Sequence, residues 1–446
     1  MAYATALVLA FARHPRFGLY AYLAVFYLDP PTRWWGAWLP DLRWSLTAAV
    51  ITLAAALLVP GPKREPAWYA TTPARLLIFF ALWMWIQNIW ALAPAEHLEG
   101  SVLFTKYLVL FFLMYRFLET SADVRNVLMF HVMGCAYLGL LAYFAPPGGR
   151  LEGVGGPGID EANALGMFVG TGLICGAALM LAERSWRRWA CIAAMPFVLN
   201  ALIQSQSRGA MVAVAAAGLV LFYLRPRQRR VAFYVFAGVG ILAFGYIAQD
   251  IFWQRMTTLR ATVDETAELD SSAQNRVELA KAQLRMAGRY PLGAGHRGTA
   301  ALSASFLDAK WLTKGPNGDQ EAARSSHNTL LSALVEQGVP GVIVFAGLML
   351  WLARTIFRLR RLAKSDTFDP HLQLYGAAAA ASLVVVFVAG LFTDYIKTEV
   401  QVWMFAILAS VMLVHVPATS KTPVRTAAPR TAPTPLGAHL HSGPRP

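Results

Sequence analysis

The sequence predicts an all-α fold: a polytopic membrane helix bundle of about twelve transmembrane helices with one large loop outside the cytoplasm. Three observations predict it. Of 446 residues, 57% are hydrophobic and 14% are charged, against roughly 25% charged in an ordinary soluble domain. Apolar stretches of about 15–25 residues recur along nearly the whole chain, long enough to cross or nearly cross a hydrocarbon core of about 30 Å. A single long polar segment, near residues 250–326, breaks the rhythm of short turns. Lipid cannot hydrogen-bond a bare backbone, so the apolar stretches must be helices. The short alternating strands of a membrane barrel are not seen in the sequence.

In chain order, the spans are expected at 17–28, 44–60, 74–92, 101–117, 124–144, 163–182, 189–204, 208–224, 231–249, 328–357, 372–392 and 400–416. Residues 1–16 read as a short re-entrant or surface segment, with a thirteenth crossing as the alternative, and show no cleavable signal, having neither a basic start nor a clear cleavage site. The chain divides into N-terminal spans (1–145), spans around a Ser-Gln-Ser-Arg-Gly turn (146–249), the outer loop (250–327), C-terminal spans (328–416) and a tail (417–446). That tail is rich in Pro, Thr and Ala with no acidic residue, a disordered composition.

Orientation follows the basic turns, which stay in the cytoplasm. Lys63 with Arg64, Arg116 with Arg125, Arg184 with Arg187 and Arg188, Arg225 to Arg230, and Arg358 to Lys364 all fall on one side, which also receives both termini; only Arg33 and Arg43 oppose it. The net charge of +14 therefore reads as a topology signal with phospholipid contact, not as a nucleic-acid footprint. Cys135, Cys175 and Cys191 lie inside apolar segments without metal-ligand spacing and read as packing residues. Trp34, Trp35, Trp38, Trp44, Trp68 and Trp90 gather near span ends as an interfacial belt would.

Chemistry concentrates at the outer end. In Ser205-Gln206-Ser207-Arg208-Gly209 an arginine opens an apolar helix beside small residues. A guanidinium plus a helix N-terminus makes a seat for a diphosphate, although snorkelling to headgroups explains the same residue. Ser325-Ser326-His327-Asn328 leads from the outer loop into a span; a histidine there can take a proton from a hydroxyl near neutral pH, with Asn328 orienting it, or be structural. Residues 276–290 read as an amphipathic helix with Val277, Leu279, Leu284 and Met286 on its apolar side and Arg276, Lys281, Arg285 and Arg289 toward phosphate or lipid surface. His296, Arg297 and Arg324 are further candidates, and the glycine-rich turn 146–160, with Asp160 just before Asn163, can touch substrate or be a plain loop. Asp264, Glu265, Glu268 and Asp270 are the one acidic cluster of the outer loop and read as a solvated face; no metal-holding pair is seen.

The order SQSRG, an Arg-headed helix, the turn Pro291-Leu292-Gly293-Ala294-Gly295 and SSHNTLLSALVEQGVPG resembles the O-antigen ligase superfamily over residues 150–415. Lipid A-core:surface polymer ligases look closest, with O-antigen polymerases and protein O-oligosaccharyltransferases nearby. The resemblance implies a GT-C-like glycosyltransferase of the bacterial inner membrane, its active site facing the periplasm. Such an enzyme moves a glycan from undecaprenyl diphosphate to a sugar hydroxyl of lipid A-core, inverting and without a metal or other cofactor. It would use Arg208 and Arg276 on the diphosphate and His327 as base, helped by Ser207, Arg285, Arg289, Arg297, Asn328, Asp160 and Asn163. An anion transporter using the same arginines is the rival from another class, and would call for internal repeats.

Overall fold

The computed structural model describes residues 1–40, 42–59, 64–145, 151–156, 158–248, 271–314, 320–321, 323–365 and 368–414. Lys63, the acidic cluster Asp264 to Asp270 and the tail 417–446 lie outside them. The described chain is all-helical except for one antiparallel ladder, Thr313–Lys314 with Gln320–Glu321. Six helices are long and apolar enough to cross a membrane, and five shorter apolar ones accompany them.

The helices are α1 (Ala2–Ala12), α2 (Arg16–Leu28), α3 (Trp44–Leu58), α4 (Thr72–Gln87), α5 (Pro94–Phe117), α6 (Ser121–Phe144), α7 (Ala162–Ala182), α8 (Trp186–Gln204), α9 (Arg208–Leu224) and α10 (Arg230–Ile247). After the undescribed stretch come α11 (Ser271–Arg289), α12 (Gly298–Phe306), α13 (Thr329–Ser332), a π turn (Ala333–Gln337), α14 (Gly338–Leu362), α15 (Pro370–Ala389) and α16 (Glu399–Val414). The helices meet the expected spans within a few residues, except that α5 starts seven residues earlier, at Pro94, and α4 stops at Gln87. Glu96, His97 and Glu99 disguise that first part of α5 in a hydropathy reading.

The core is α7 and α15, nearly all of whose residues are buried. Both are built from small side chains: α7 carries Gly166, Gly170, Gly172 and Gly176, and α15 carries five consecutive alanines. Small residues let helix backbones approach where lipid gives no hydrophobic drive to associate. A Cβ on Gly172 would lie 2.5 Å from the Cys135 sulfur and one on Gly176 2.2 Å from Met195. The three cysteines are buried and unbridged. In contrast α10 buries no residue; it touches the bundle through Ala232, Phe233 and Phe236 in its first half and through Ala243, Phe244 and Ile247 against Leu199 and Ile203 of α8.

The described basic turns share one end of the bundle. Arg16 pairs with Asp123 at 2.5 Å, Arg64 donates to the Tyr115 carbonyl and lies 3.5 Å from Ser410 Oγ, Arg360 lies over the Tyr223 ring, and Gln373 donates to the Leu224 carbonyl at 2.7 Å. Residues 1–16 differ from expectation. They are mostly the helix α1, whose Tyr3 hydroxyl donates to the Trp44 carbonyl at 2.7 Å and whose exit places His14 against Phe117. Met1 therefore starts at the end opposite the basic turns, and α1, apolar all round and burying only Ala10, packs along α2 and α3.

The outer segment has its own small core: Leu279, Ala282 and Met286 of α11 close on Ala294, Leu302, Leu307 and Val335. Spacings of three and four select that face. Val277 and Leu284, assigned to the apolar side from sequence, are 49% and 58% exposed, since two residues of helix turn the chain by about 200°.

Candidate active site

The turn between α8 and α9 is held from three sides. Gln206 takes a left-handed φ of 49°, the Ser205 hydroxyl donates to the Leu202 carbonyl at 2.6 Å, and Ser207 caps α9 by accepting the Ala210 N–H at 3.3 Å. Such a cap is worth about 1 kcal/mol. The Ser207 hydroxyl donates in turn to Asn163 Oδ1 at 3.0 Å, at the start of α7. Gly166 permits this approach: a Cβ there would stand 2.6 Å from Ser205 Oγ. Arg208, half-buried, opens α9 with the helix dipole behind it. Beside it, a Cβ on Gly209 would fall 2.9 Å from Phe392, in the loop between α15 and α16.

That same loop receives the other motif. Thr329 N–H donates to the Gly390 carbonyl at 2.7 Å and Asn328 Nδ2 to the Leu391 carbonyl at 3.2 Å. Asn328 Oδ1 caps α13, accepting the N–H groups of Leu330 and Leu331 at 2.9 and 3.1 Å. Its side chain anchors the helix and the loop, so orienting His327 falls to the backbone it fixes. Ser326 Oγ accepts from buried Gln283 of α11 at 2.9 Å and from Asn328 N–H at 3.2 Å. His327 is half-buried; burial first, then the charges of Arg276 and Arg324, pull its imidazole below the ordinary range. Arg276, exposed on the first half of α11, thus stands within electrostatic reach of His327.

A third group lies beside these. Glu336 sits buried on the π turn, and Lys397, from the α15–α16 loop, reaches its Oε2 at 3.3 Å. His296, just after the PLGAG turn, lies 3.1 Å from the same oxygen, and the Lys397 ammonium also meets His296 Nδ1. His296 N–H donates to His97 Nδ1 at 2.7 Å, and His97 Nε2 bonds the Met84 carbonyl at 2.8 Å. The π turn leaves carbonyls without the usual helical partner. They are taken up by Ala294 N–H to the Val335 carbonyl (2.8 Å), by Gly295 N–H to the Glu336 carbonyl (2.9 Å) and by Gln87 Nε2 to the latter at 2.9 Å. Gly293 and Gly295 adopt φ of 85° and 84° to do so, and a Cβ on Gly293 would strike the Glu336 carbonyl oxygen at 2.5 Å.

Residues 192–346 match the family model described as O-Antigen ligase. Over that stretch, about a third of its length, the chain is similar to the O-antigen ligases. No curated protein matches the chain. The matched stretch spans the SQSRG turn, α11, the PLGAG turn, His327 and Glu336, while Asn163, which accepts from Ser207, precedes it.

Of the predicted residues, the structure brings together Ser207 with Asn163 and the Arg208-Gly209 turn with the loop that Asn328 holds, and it puts Arg276 within electrostatic reach of His327. Arg285 does not join them: its Nη2 donates to the Phe306 carbonyl at 2.8 Å, bracing α12. Arg289 is exposed at the end of α11. Arg297 takes a left-handed φ of 64° and comes only to 3.5 Å of Ser325 Oγ. Asp160 is exposed, its carbonyl bonded by Gly153 N–H at 2.8 Å. Trp90, read as part of a lipid belt, has a specific bond to the Gly293 carbonyl at 2.9 Å. Sequence reasoning missed Lys397 and, beside it, Asp394, which accepts the Ser332 hydroxyl at 2.6 Å. Their signal was five polar residues (Thr393, Asp394, Lys397, Thr398, Glu399) between two apolar spans on the outer side.

Proposed function

We propose that the chain is an O-antigen ligase that moves a glycan from undecaprenyl diphosphate to a sugar hydroxyl of lipid A-core, at the periplasmic face of the bacterial inner membrane. The observation that carries the proposal is the convergence of the Arg208 turn and the His327 segment on one short loop, at the end opposite the basic turns. In this reading the chain crosses the membrane about twelve times as a GT-C-like glycosyltransferase. Arg208 and Arg276 bind the diphosphate, and their positive charge stabilises the negative charge that grows on it as the anomeric carbon–oxygen bond breaks. His327 takes the proton of the acceptor hydroxyl as that oxygen attacks the opposite face of the anomeric carbon, inverting it. The cationic clamp does the work a divalent ion does elsewhere, so transfer proceeds in chelator. A mostly apolar cavity of about 250 Å3 between α2, α3 and α5, lined by Leu19, Leu46, Leu103 and Leu110 with Lys106 and Glu399, has room for part of a lipid chain.

The test is transfer by the purified, reconstituted chain from undecaprenyl diphosphate-linked glycan to lipid A-core, with and without chelator. Product in both conditions supports the reading, and loss in chelator with return on adding magnesium ends the metal-independent mechanism. Glycan growing on its carrier while lipid A-core stays unmodified identifies a polymerase instead.

The pH dependence follows from His327. A base whose pKa is lowered stays deprotonated across neutral pH, so kcat/KM falls only as pH drops through that lowered value. Arg324→Gln removes one repelling cation and raises the imidazole back toward its ordinary range. The acid limb of the kcat/KM profile is then expected to move to higher pH, and an unmoved limb would remove His327 from the role of base.

A further inference from the structure

The opposite, basic end of the bundle holds a second cavity, of about 250 Å3, lined by Arg184, Gln228, Arg229, His371 and the prolines Pro226 and Pro370, with Ala182 and Leu374. Three elements build it: the turn after α7, the turn before α10 and the first turn of α15. The local acids are engaged elsewhere. Glu183 accepts the Tyr375 hydroxyl at 2.5 Å and Asp369 accepts the His371 N–H at 2.8 Å as the cap of α15. Among the described residues none of the four ion pairs involves Arg184, Arg229 or His371. Arg184 and Arg188 meanwhile repel Arg229 across the rim, and Arg188 is itself turned away over the Phe236 ring at 5.4 Å.

Gathering like charges around a concave space costs free energy unless an anion occupies it. We propose that this cavity is a phosphate-binding site, which takes the phosphodiester of an anionic phospholipid headgroup or a free phosphate. Two guanidiniums present planar forks that match phosphate oxygens in pairs; Gln228 adds a donor beside Arg229 and His371 one from the third wall. The volume lies below the roughly 300–1,000 Å3 of pockets for drug-sized ligands and suits a headgroup. The site is independent of glycan transfer: it belongs to α7, α10 and α15 at the far end of the core pair.

The test uses the full chain in neutral detergent, titrated with phosphatidylglycerol, with phosphatidylcholine, and with inorganic phosphate against chloride of equal ionic strength, while Tm and bound lipid by native mass spectrometry are read. Phosphatidylglycerol is expected to raise Tm and to remain bound. R184Q/R229Q is expected to lower its apparent affinity about tenfold or more, as loss of charge-assisted hydrogen bonds does. R358Q/R361Q, on the same end but outside the cavity, is expected to leave it unchanged. A rise with inorganic phosphate that disappears in R184Q/R229Q assigns the site to the free anion. Should that double variant fold poorly, R184Q alone with lipid counting gives the same comparison. Equal phosphatidylglycerol affinity in both double variants, or no response to either phosphate source, overturns the proposal.

Discussion

Arg208→Ala is expected to lower glycan transfer about a hundredfold or more while the protein still inserts, and Arg276→Ala to do the same. The size follows from the role: removing a donor aimed at developing negative charge costs about 2.7–4 kcal/mol in the transition state, and each 1.36 kcal/mol is tenfold in rate. The two substitutions differ in what else they disturb. Arg208 is half-buried at the head of α9, whose cap is Ser207 and not the arginine, so the helix start survives its truncation. Arg276 is exposed on α11, which Leu279, Ala282 and Met286 hold in place without it. Arg208→Lys keeps the charge and loses the fork, and is expected to recover only part of the rate. The measurement is initial transfer rate at saturating acceptor, with membrane-inserted protein quantified. Polymer-capped lipopolysaccharide at wild-type level in cells whose sole copy is Arg208→Ala would refute the assignment.

The second large effect is on stability. Glu336 and the Lys397 side chain are 6% and 9% exposed, so neither charge has water to return to when the other is removed. Breaking a buried pair from one side costs about 3–5 kcal/mol, whereas replacing both partners by uncharged groups is often near neutral. Glu336→Gln and Lys397→Met are each expected to lower Tm by several degrees, and the double substitution to sit closer to the wild type than either single one. Denaturation of all four proteins in one detergent gives the comparison. A double variant whose loss equals the sum of the singles would mean the two side chains do not act as a pair.

Much of this architecture is readable from the sequence because lipid imposes one strong rule, that apolar stretches become helices. The boundaries of α9 were legible to the residue because Ser207 and Arg208 mark its start, and the Arg225-Pro226 pair its end. The first part of α5 was not, because Glu96, His97 and Glu99 are polar yet helical. The SQSRG segment stood out as a charge where a hydrocarbon boundary makes charge costly, and SSHN as a histidine at such a boundary. What joins them was invisible: Gly390, Leu391 and Phe392 contribute carbonyls and a ring, none of which carries a sequence signature. Lys397 escaped for a related reason. A lysine after a span ordinarily reads as a topology marker, and only the fold shows it opposite Glu336, 61 residues earlier.

The joint between the outer segment and α14 is made largely of amide-to-carbonyl bonds, from Ala294, Gly295 and Val339 to Val335, Glu336 and Pro291. Such stitching is blind to side-chain identity. Evolution can therefore rewrite this segment's contours while leaving its docking angle intact, provided Gly293, Gly295 and Gly338, the three positions of the joint with left-handed backbone, stay glycine.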